Sequence, residues 1–201
     1  DVECPQVATA WERVYRLLRD AFPPAHYHRG RGLSHVTQDR HAVQAHFSDG
    51  EIVVADLLIG ADGIRSSVRQ QYLPAVMPLY AGYCAWRALI PEAAFPPETH
   101  RAVFGIMSFG LPPGEQFLSY PVAGLENDLR PGTSRTNVIW YRPADDAKLQ
   151  ELLTDAQGKT HAISIPPPLI RAETIAEMHA AAERLLAPQF RAVVRLIEEP
   201  I

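Results

Sequence analysis

The sequence predicts an α+β chain on three observations. An apolar, β-branched run from Val53 to Ile59 stops at Gly60-Ala61-Asp62-Gly63 and passes into a helical stretch from Ile64. From Leu79 to Tyr141, strand-like segments alternate with turns at Pro91, Pro112-Pro113-Gly114 and Pro131-Gly132, the pattern of an antiparallel sheet. The end of the chain, Ala172 to Leu186 and Pro188 to Ile197, has helical composition and spacing.

Taken in order, Thr9-Ala10-Trp11-Glu12 has the form of a capping box, with Thr9 as N-cap and Glu12 three residues on. The helix it opens carries Val14, Leu17, Leu18 and Ala21 at helical spacing, and Pro23-Pro24 end it. Short strands are expected at His26–Arg29, Gly32–Thr37 and Ala42–Phe47, the last with Val43, Ala45 and Phe47 on one face. Ser48-Asp49-Gly50 is a hairpin turn into a strand from Glu51 to Ile59, whose apolar half reads as buried. The helix beyond the glycine turn holds Arg65, Ser66, Ser67 and Arg69 in its first two turns and ends near Tyr72. Pro74 and Pro78 mark the crossing into a second region. There, strands are expected at Leu79–Ile90, Arg101–Phe109, Gln116–Tyr120 and Thr136–Tyr141, then a short helix at Asp145–Thr154. A last strand at His161–Ile165 is stopped by Pro166-Pro167-Pro168 before the closing helices.

Composition narrows the function. The chain has 201 residues, 47% hydrophobic and 21% charged, enough for one large soluble domain or two small ones. A net charge of −4 with no basic block argues against nucleic acid as a partner. Eighteen prolines imply many loops and edge strands. Two cysteines, Cys4 and Cys84, make no disulfide framework and fit a reducing cytoplasm. No apolar run has membrane-spanning length, and no charged-then-apolar leader is present. The start at Asp1 and the end at Glu199-Pro200-Ile201 read as those of an excised piece.

The strand, glycine turn and helix start around Asp62 make a place where backbone N–H groups meet an anion and a carboxylate meets a hydroxyl. The plainer reading is a tight connection in which Asp62 caps the helix. Gly30-Arg31-Gly32 begins a G-x-G-x-x-G pattern, but His35 stands at the third glycine position and the flanks are strand-like, so it is no phosphate loop. His26, His28, His35, His41 and His46 have no carboxylate or cysteine at ligand spacing, and no metal site is expected. Ser66 and Ser67 lack a nucleophile elbow. Asp145-Asp146 and Glu198-Glu199 sit at helix ends, where the helix dipole and solvation account for them.

The run Asp56-Leu57-Leu58-Ile59-Gly60-Ala61-Asp62-Gly63-Ile64-Arg65-Ser66-Ser67-Val68-Arg69 resembles the second fingerprint, the Asp-Gly motif, of FAD-dependent aromatic monooxygenases of the para-hydroxybenzoate hydroxylase type. Tyr80-Ala81-Gly82-Tyr83-Cys84-Ala85-Trp86-Arg87 resembles the strand that follows in the 2,6-dihydroxypyridine 3-monooxygenase-like branch. The resemblance implies part of an FAD/NAD(P)-binding domain over residues 1–74: a helix, a small β-meander, then strand, Asp-Gly turn and helix. A substrate-binding antiparallel sheet domain with flanking helices would follow over 75–187, and 188–201 would be a helix leading back. It also implies cofactor contacts from Gly60, Asp62 and Gly63, and from Arg69 on the phosphates of FAD or the nicotinamide donor. Trp11 stands where relatives send a polar side chain, often Arg or Gln, toward the flavin. Val36 lies in the strand that passes the adenine of FAD through backbone contacts.

A flavin hydroxylase needs a dry, apolar pocket with one or two polar handles. Tyr83, Trp86, Arg87 and Trp140, on two strands beside Tyr141, are the expected substrate side, with Tyr83, Ala85 and Arg87 on one face and Cys84 and Trp86 on the other. By the resemblance, NAD(P)H reduces FAD, O2 forms a flavin C4a-hydroperoxide, and one oxygen atom enters a small electron-rich aromatic or hydroxypyridine-like ring. No residue of the chain is expected as acid, base or nucleophile. The first fingerprint and the later Gly-Asp fingerprint are missing, so a middle section that does not hold FAD unaided is expected. A cytoplasmic enzyme follows, without nucleic-acid or membrane partners and with a homodimer as one assembly. The competing reading is a non-catalytic α+β small-molecule-binding or interaction domain.

Overall fold

A computed structural model describes residues 9–201. Cys4 lies outside the described residues. Two compact units emerge, Leu17–Tyr80 on one side and the described residues up to Arg16 with Ala81–Ile201 on the other, the division falling inside α1 (Trp11–Ala21).

In the first unit β1 (Leu33–Gln38), β2 (Val43–Phe47) and β3 (Ile52–Ala55) form an antiparallel meander in that order. The expected alternation holds in β2, where Val43 and Ala45 are buried. Phe47 N–H donates to Glu51 O at 2.9 Å, closing the Ser48-Asp49-Gly50 turn. α2 (Ser67–Tyr72) follows the glycine turn and is clamped to β1 through Gln71. Its Oε1 accepts from Val36 N–H at 2.8 Å, and its Nε2 donates to Val36 O. Among the described residues β1 pairs only with β2, so a side-chain amide stands where a further strand would bond.

Two expectations fail here. The strand from Glu51 stops at Ala55, and the apolar run is not buried: Leu57 is 75% and Ile59 80% exposed. A continuous apolar strand is buried when layers cover both of its faces. Among the described residues β3 pairs with β2 alone, and residues 56–59 join no ladder. The strand expected at His26–Arg29 is instead a 3-10 turn at Pro24–His26 followed by irregular chain, because Pro23 and Pro24 carbonyls accept from His26 and Tyr27 N–H.

The second unit is built on β4 (Tyr83–Pro91), β5 (Ser108–Gly110), β6 (Gln116–Val122) and β7 (Arg135–Pro143), antiparallel in the order β4-β7-β6-β5. β7 is the hub, pairing β4 from Tyr83↔Pro143 to Pro91↔Arg135 and β6 from Gln116↔Tyr141 to Val122↔Arg135. One face carries Ala88, Ile90, Phe117, Val138 and Trp140 into a core completed by α3 (Pro97–Val103), α5 (Ala172–Leu185) and α6 (Pro188–Val194). α5 offers Thr174, Met178, Ala181 and Ala182, a stripe at helical spacing. Phe117 packs at a tilt against Phe190, ring centres 4.9 Å apart, and meets Trp140 edge-on at 6.4 Å. Each such side chain contributes roughly 1.5–3 kcal/mol by leaving water.

The stretch expected as a strand at Arg101–Phe109 is helix α3 and then the short β5, because Pro97 at the first helical position and Glu98 beside it start a helix. α4 (Asp146–Leu152) is capped by Asp145, whose Oδ1 accepts from Lys148 N–H at 2.8 Å. His161–Ile165 is not a strand; an isolated bridge joins Thr154 and Thr160 just before it. Buried Asp155 gathers that loop instead: it accepts from Gln157 and Lys159 N–H, and its Oδ2 lies 2.7 Å from His161 Nε2. The α+β class, the meander and the antiparallel sheet with flanking helices stand as expected.

Candidate functional site

Two places carry the expected site residues, one in each unit. The first is the turn before α2. Gly60 packs closely on α2, where a Cβ would stand 3.0 Å from Val68 Cβ and press Val68 aside. Gly63 takes φ +73°, and no heavy atom lies within 4 Å of where its Cβ would be. Asp62 Oδ2 accepts from Ser67 N–H at 2.7 Å and Val68 N–H at 3.3 Å. Ser66 is the N-cap, its Oγ accepting from Arg69 N–H at 2.9 Å. The Ser66 hydroxyl, with the backbone N–H groups of Val68, Asp62 and Ser67, holds the Asp62 carboxyl below its ordinary range against a smaller opposing desolvation. Asp62 is therefore an ionised, exposed acceptor fixed by the backbone.

Arg69 does not reach outward. Its guanidinium donates to Gly63 O at 3.3 Å and to Ile64 O, closing the turn from behind. Val36, buried, has both backbone groups taken by Gln71. Trp11 is neither in a core nor among polar partners: it is 78% exposed and stacks on Tyr15 at 5.3 Å.

The second place is the sheet. Strand alternation splits the four expected substrate residues. Tyr83 and Arg87 stand on the exposed face, while Trp86 packs against the core and Trp140, 1% exposed, lies inside it. The expected separation of Trp86 from Tyr83 and Arg87 is thus seen in β4, and Trp140 joins Trp86 on the core side of the sheet. Partners across the ladder put Tyr141 and Ile139 on the open face with Ala85 and Arg87, and Tyr83 meets Tyr141 edge-on at 5.5 Å. At the end of the sheet where β4 and β6 begin and β7 finishes, a cleft of about 620 Å³ is lined by Tyr83, Glu115, Gln116, Tyr141 and Arg142.

Its charged residues form a set. Arg142 Nε donates to Glu115 Oε1 at 3.1 Å, Trp140 Nε1 donates to Glu115 Oε2 at 2.8 Å, and the guanidinium carbon sits 4.7 Å from the Trp140 ring centre. Sequence reasoning missed Glu115, Gln116 and Arg142. Arg142 had a signal, being two residues from Trp140 on one strand, but Glu115 meets it only through the β6–β7 register.

A family model described as "FAD binding domain-like" matches residues 80–201. The chain belongs to this family. It is 32% identical over 193 residues to the 2,6-dihydroxypyridine 3-monooxygenase of Paenarthrobacter nicotinovorans, covering 96% of this chain and 47% of that protein. It is 39% identical over 111 residues to the 3-amino-4-hydroxybenzoate 2-monooxygenase of Streptomyces cremeus, covering 55% of this chain and 27% of that one. The solved structure of 2,6-dihydroxypyridine-3-hydroxylase from Arthrobacter nicotinovorans matches with a TM-score of 0.82 at 30% identity, over 94% of this chain and 47% of its own. The chain thus spans about half the length of the first of these curated relatives. The resemblance read from residues 56–69 and 80–87 is borne out: the matching relatives are monooxygenases of aromatic and pyridine rings.

Proposed function

We propose that the protein containing this chain is a flavin-dependent hydroxylase that inserts one atom of O2 into an electron-rich aromatic or N-heteroaromatic ring, using FAD and NAD(P)H. The observation that carries this reading is the 32% identity sustained over 96% of the chain to a 2,6-dihydroxypyridine 3-monooxygenase. FAD, when bound, supplies the redox and oxygen chemistry, and the protein supplies position and dryness.

The residues at the Asp62 turn fit such a cofactor. Open space in front of Gly63 admits a ligand against the backbone, and the fixed Asp62 carboxylate offers an acceptor to a cofactor hydroxyl. Arg69 serves this contact indirectly by holding the Gly63 and Ile64 carbonyls. On the sheet, the Tyr83–Tyr141 pair and Arg87 present aromatic walls and a polar handle to a flat ring. We retain residues 1–74 as the cofactor part, 75–187 as the substrate part and 188–201 as the helix leading back. Among the described residues no helix is long and apolar enough to cross a membrane, and a cytoplasmic enzyme, with a homodimer as one assembly, completes the proposal.

The test is NAD(P)H oxidation by the full-length protein across hydroxypyridines and phenols, with products identified by mass spectrometry. Substrate-stimulated oxidation with a ring hydroxyl gained is the expected result. A full-length protein without flavin absorbance favours the non-catalytic binding domain, and flavin binding indifferent to Asp62→Ala in a folded variant removes Asp62 from the cofactor contact.

A further inference from the structure

The paired charges of the cleft bear on which rings it takes, an inference that rests on the ring-hydroxylase reading above. Arg142 and Glu115 are the charged side chains among those lining the cleft. They are bound to each other, and both Glu115 oxygens are committed, one to Arg142 and the other to the Trp140 indole. The Glu115 side chain is only 10% exposed, and the indole bond and the ring beneath the guanidinium hold the pair in place. Arg142 spends Nε on Glu115, and its two terminal nitrogens donate to no described side chain. The cleft therefore offers oriented N–H donors with no net positive charge behind them.

We propose that the Glu115–Arg142 pair makes this cleft select hydroxylated rings without a carboxylate over the same rings bearing one. A hydroxyl or ring-carbonyl oxygen needs only a donor, which the terminal N–H groups provide. A ring carboxylate needs uncompensated positive charge, and in this cleft it would bring a second anion to a guanidinium already neutralised by Glu115. Two like charges about one cation in a half-buried site repel, and discrimination by such repulsion is a common source of specificity. Arg142 is the donor and Glu115 the positioning residue that withholds its charge.

The experiment measures equilibrium binding of 2-hydroxypyridine and of its 5-carboxylate to the full-length, FAD-loaded protein by calorimetry. The unsubstituted ring binds the native protein more tightly. Glu115→Gln keeps an acceptor for the Trp140 indole and releases the Arg142 charge, so the ratio of the two affinities moves toward the carboxylate by about tenfold or more. A merely structural role for Glu115 weakens both probes together and leaves the ratio fixed, and that result overturns the proposal. So does a native preference for the carboxylate, or the binding of neither probe. If Glu115→Gln fails to fold, Arg142→Gln is measured instead. With Glu115 left unpaired, carboxylate binding is lost well beyond the loss for 2-hydroxypyridine, and equal losses count against the proposal. Failure of the parent reading shows separately, as absence of substrate-stimulated NAD(P)H oxidation whatever the binding ratio.

Discussion

The unit from Leu17 to Tyr80 and the unit holding the four-stranded sheet fix their functional residues by opposite means. In the sheet unit the core does it. Trp140, Phe117, Met178 and Val193 are buried, and the position of Arg142 follows from the register of β7 between β4 and β6. In the other unit the residues before Asp62 are solvent-facing, yet its carboxylate is tightly placed by bonds that span at most six residues. Local hydrogen bonding therefore suffices to shape a turn, while a cleft needs long-range packing.

The contrast breaks most visibly at Trp140. Trp140→Ala opens a cavity in the core and removes one of the two donors to Glu115, and the expected loss is about 3–5 kcal/mol by chemical denaturation. Hydrogen exchange at residues 60–69 should be unchanged by it; faster exchange there would show that the two units are not fixed independently. The next effect is smaller and confined to the other unit. Gln71→Ala leaves both backbone groups of Val36 without their partner and costs about 1–3 kcal/mol, read as faster amide exchange at Val36 and along α2. Exchange along β7 should not respond.

The smallest effect is a titration. Because the Asp62 pKa is depressed on folding, its contribution is fully present above the ordinary carboxylate value and is lost as pH falls through the lower, folded one. NMR of the Ser67 and Val68 amides should show protection persisting below pH ~3.9 and then fading. Protection lost at or above that value would deny the carboxylate its bonds to the helix start.

What the sequence made legible follows the same division. The hairpin at Ser48-Asp49-Gly50, the alternation of Val43 and Ala45, the short helix α4 and the long α5 all rest on neighbours in the chain, and all stand where expected. The Asp62 turn was legible in kind but not in detail: that Arg69 folds back onto Gly63 and Ile64 depends on where the turn aims those two carbonyls, not on spacing. The errors arise where an apolar run was read without its surroundings. Val53 to Ile59 has the composition of a buried strand, and burial is decided by what covers it. At residues 101–109 β-like content outweighed the helix-start signal of Pro97-Glu98 just upstream. The Glu115–Arg142 pair was illegible, since 27 residues separate its members and only the ladder brings them together.

The Gln71 clamp has a consequence for the molecule among its neighbours in solution. A carboxamide carries an acceptor and a donor side by side, the complement of one residue's outward N–H and C=O. Seated on Val36, midway along the edge of β1 that no described strand pairs, it takes the backbone groups an incoming strand would use there. Gln71 thus blocks strand pairing at the Val36 position, and Gln71→Ala would open that position to an incoming strand as well as loosening α2.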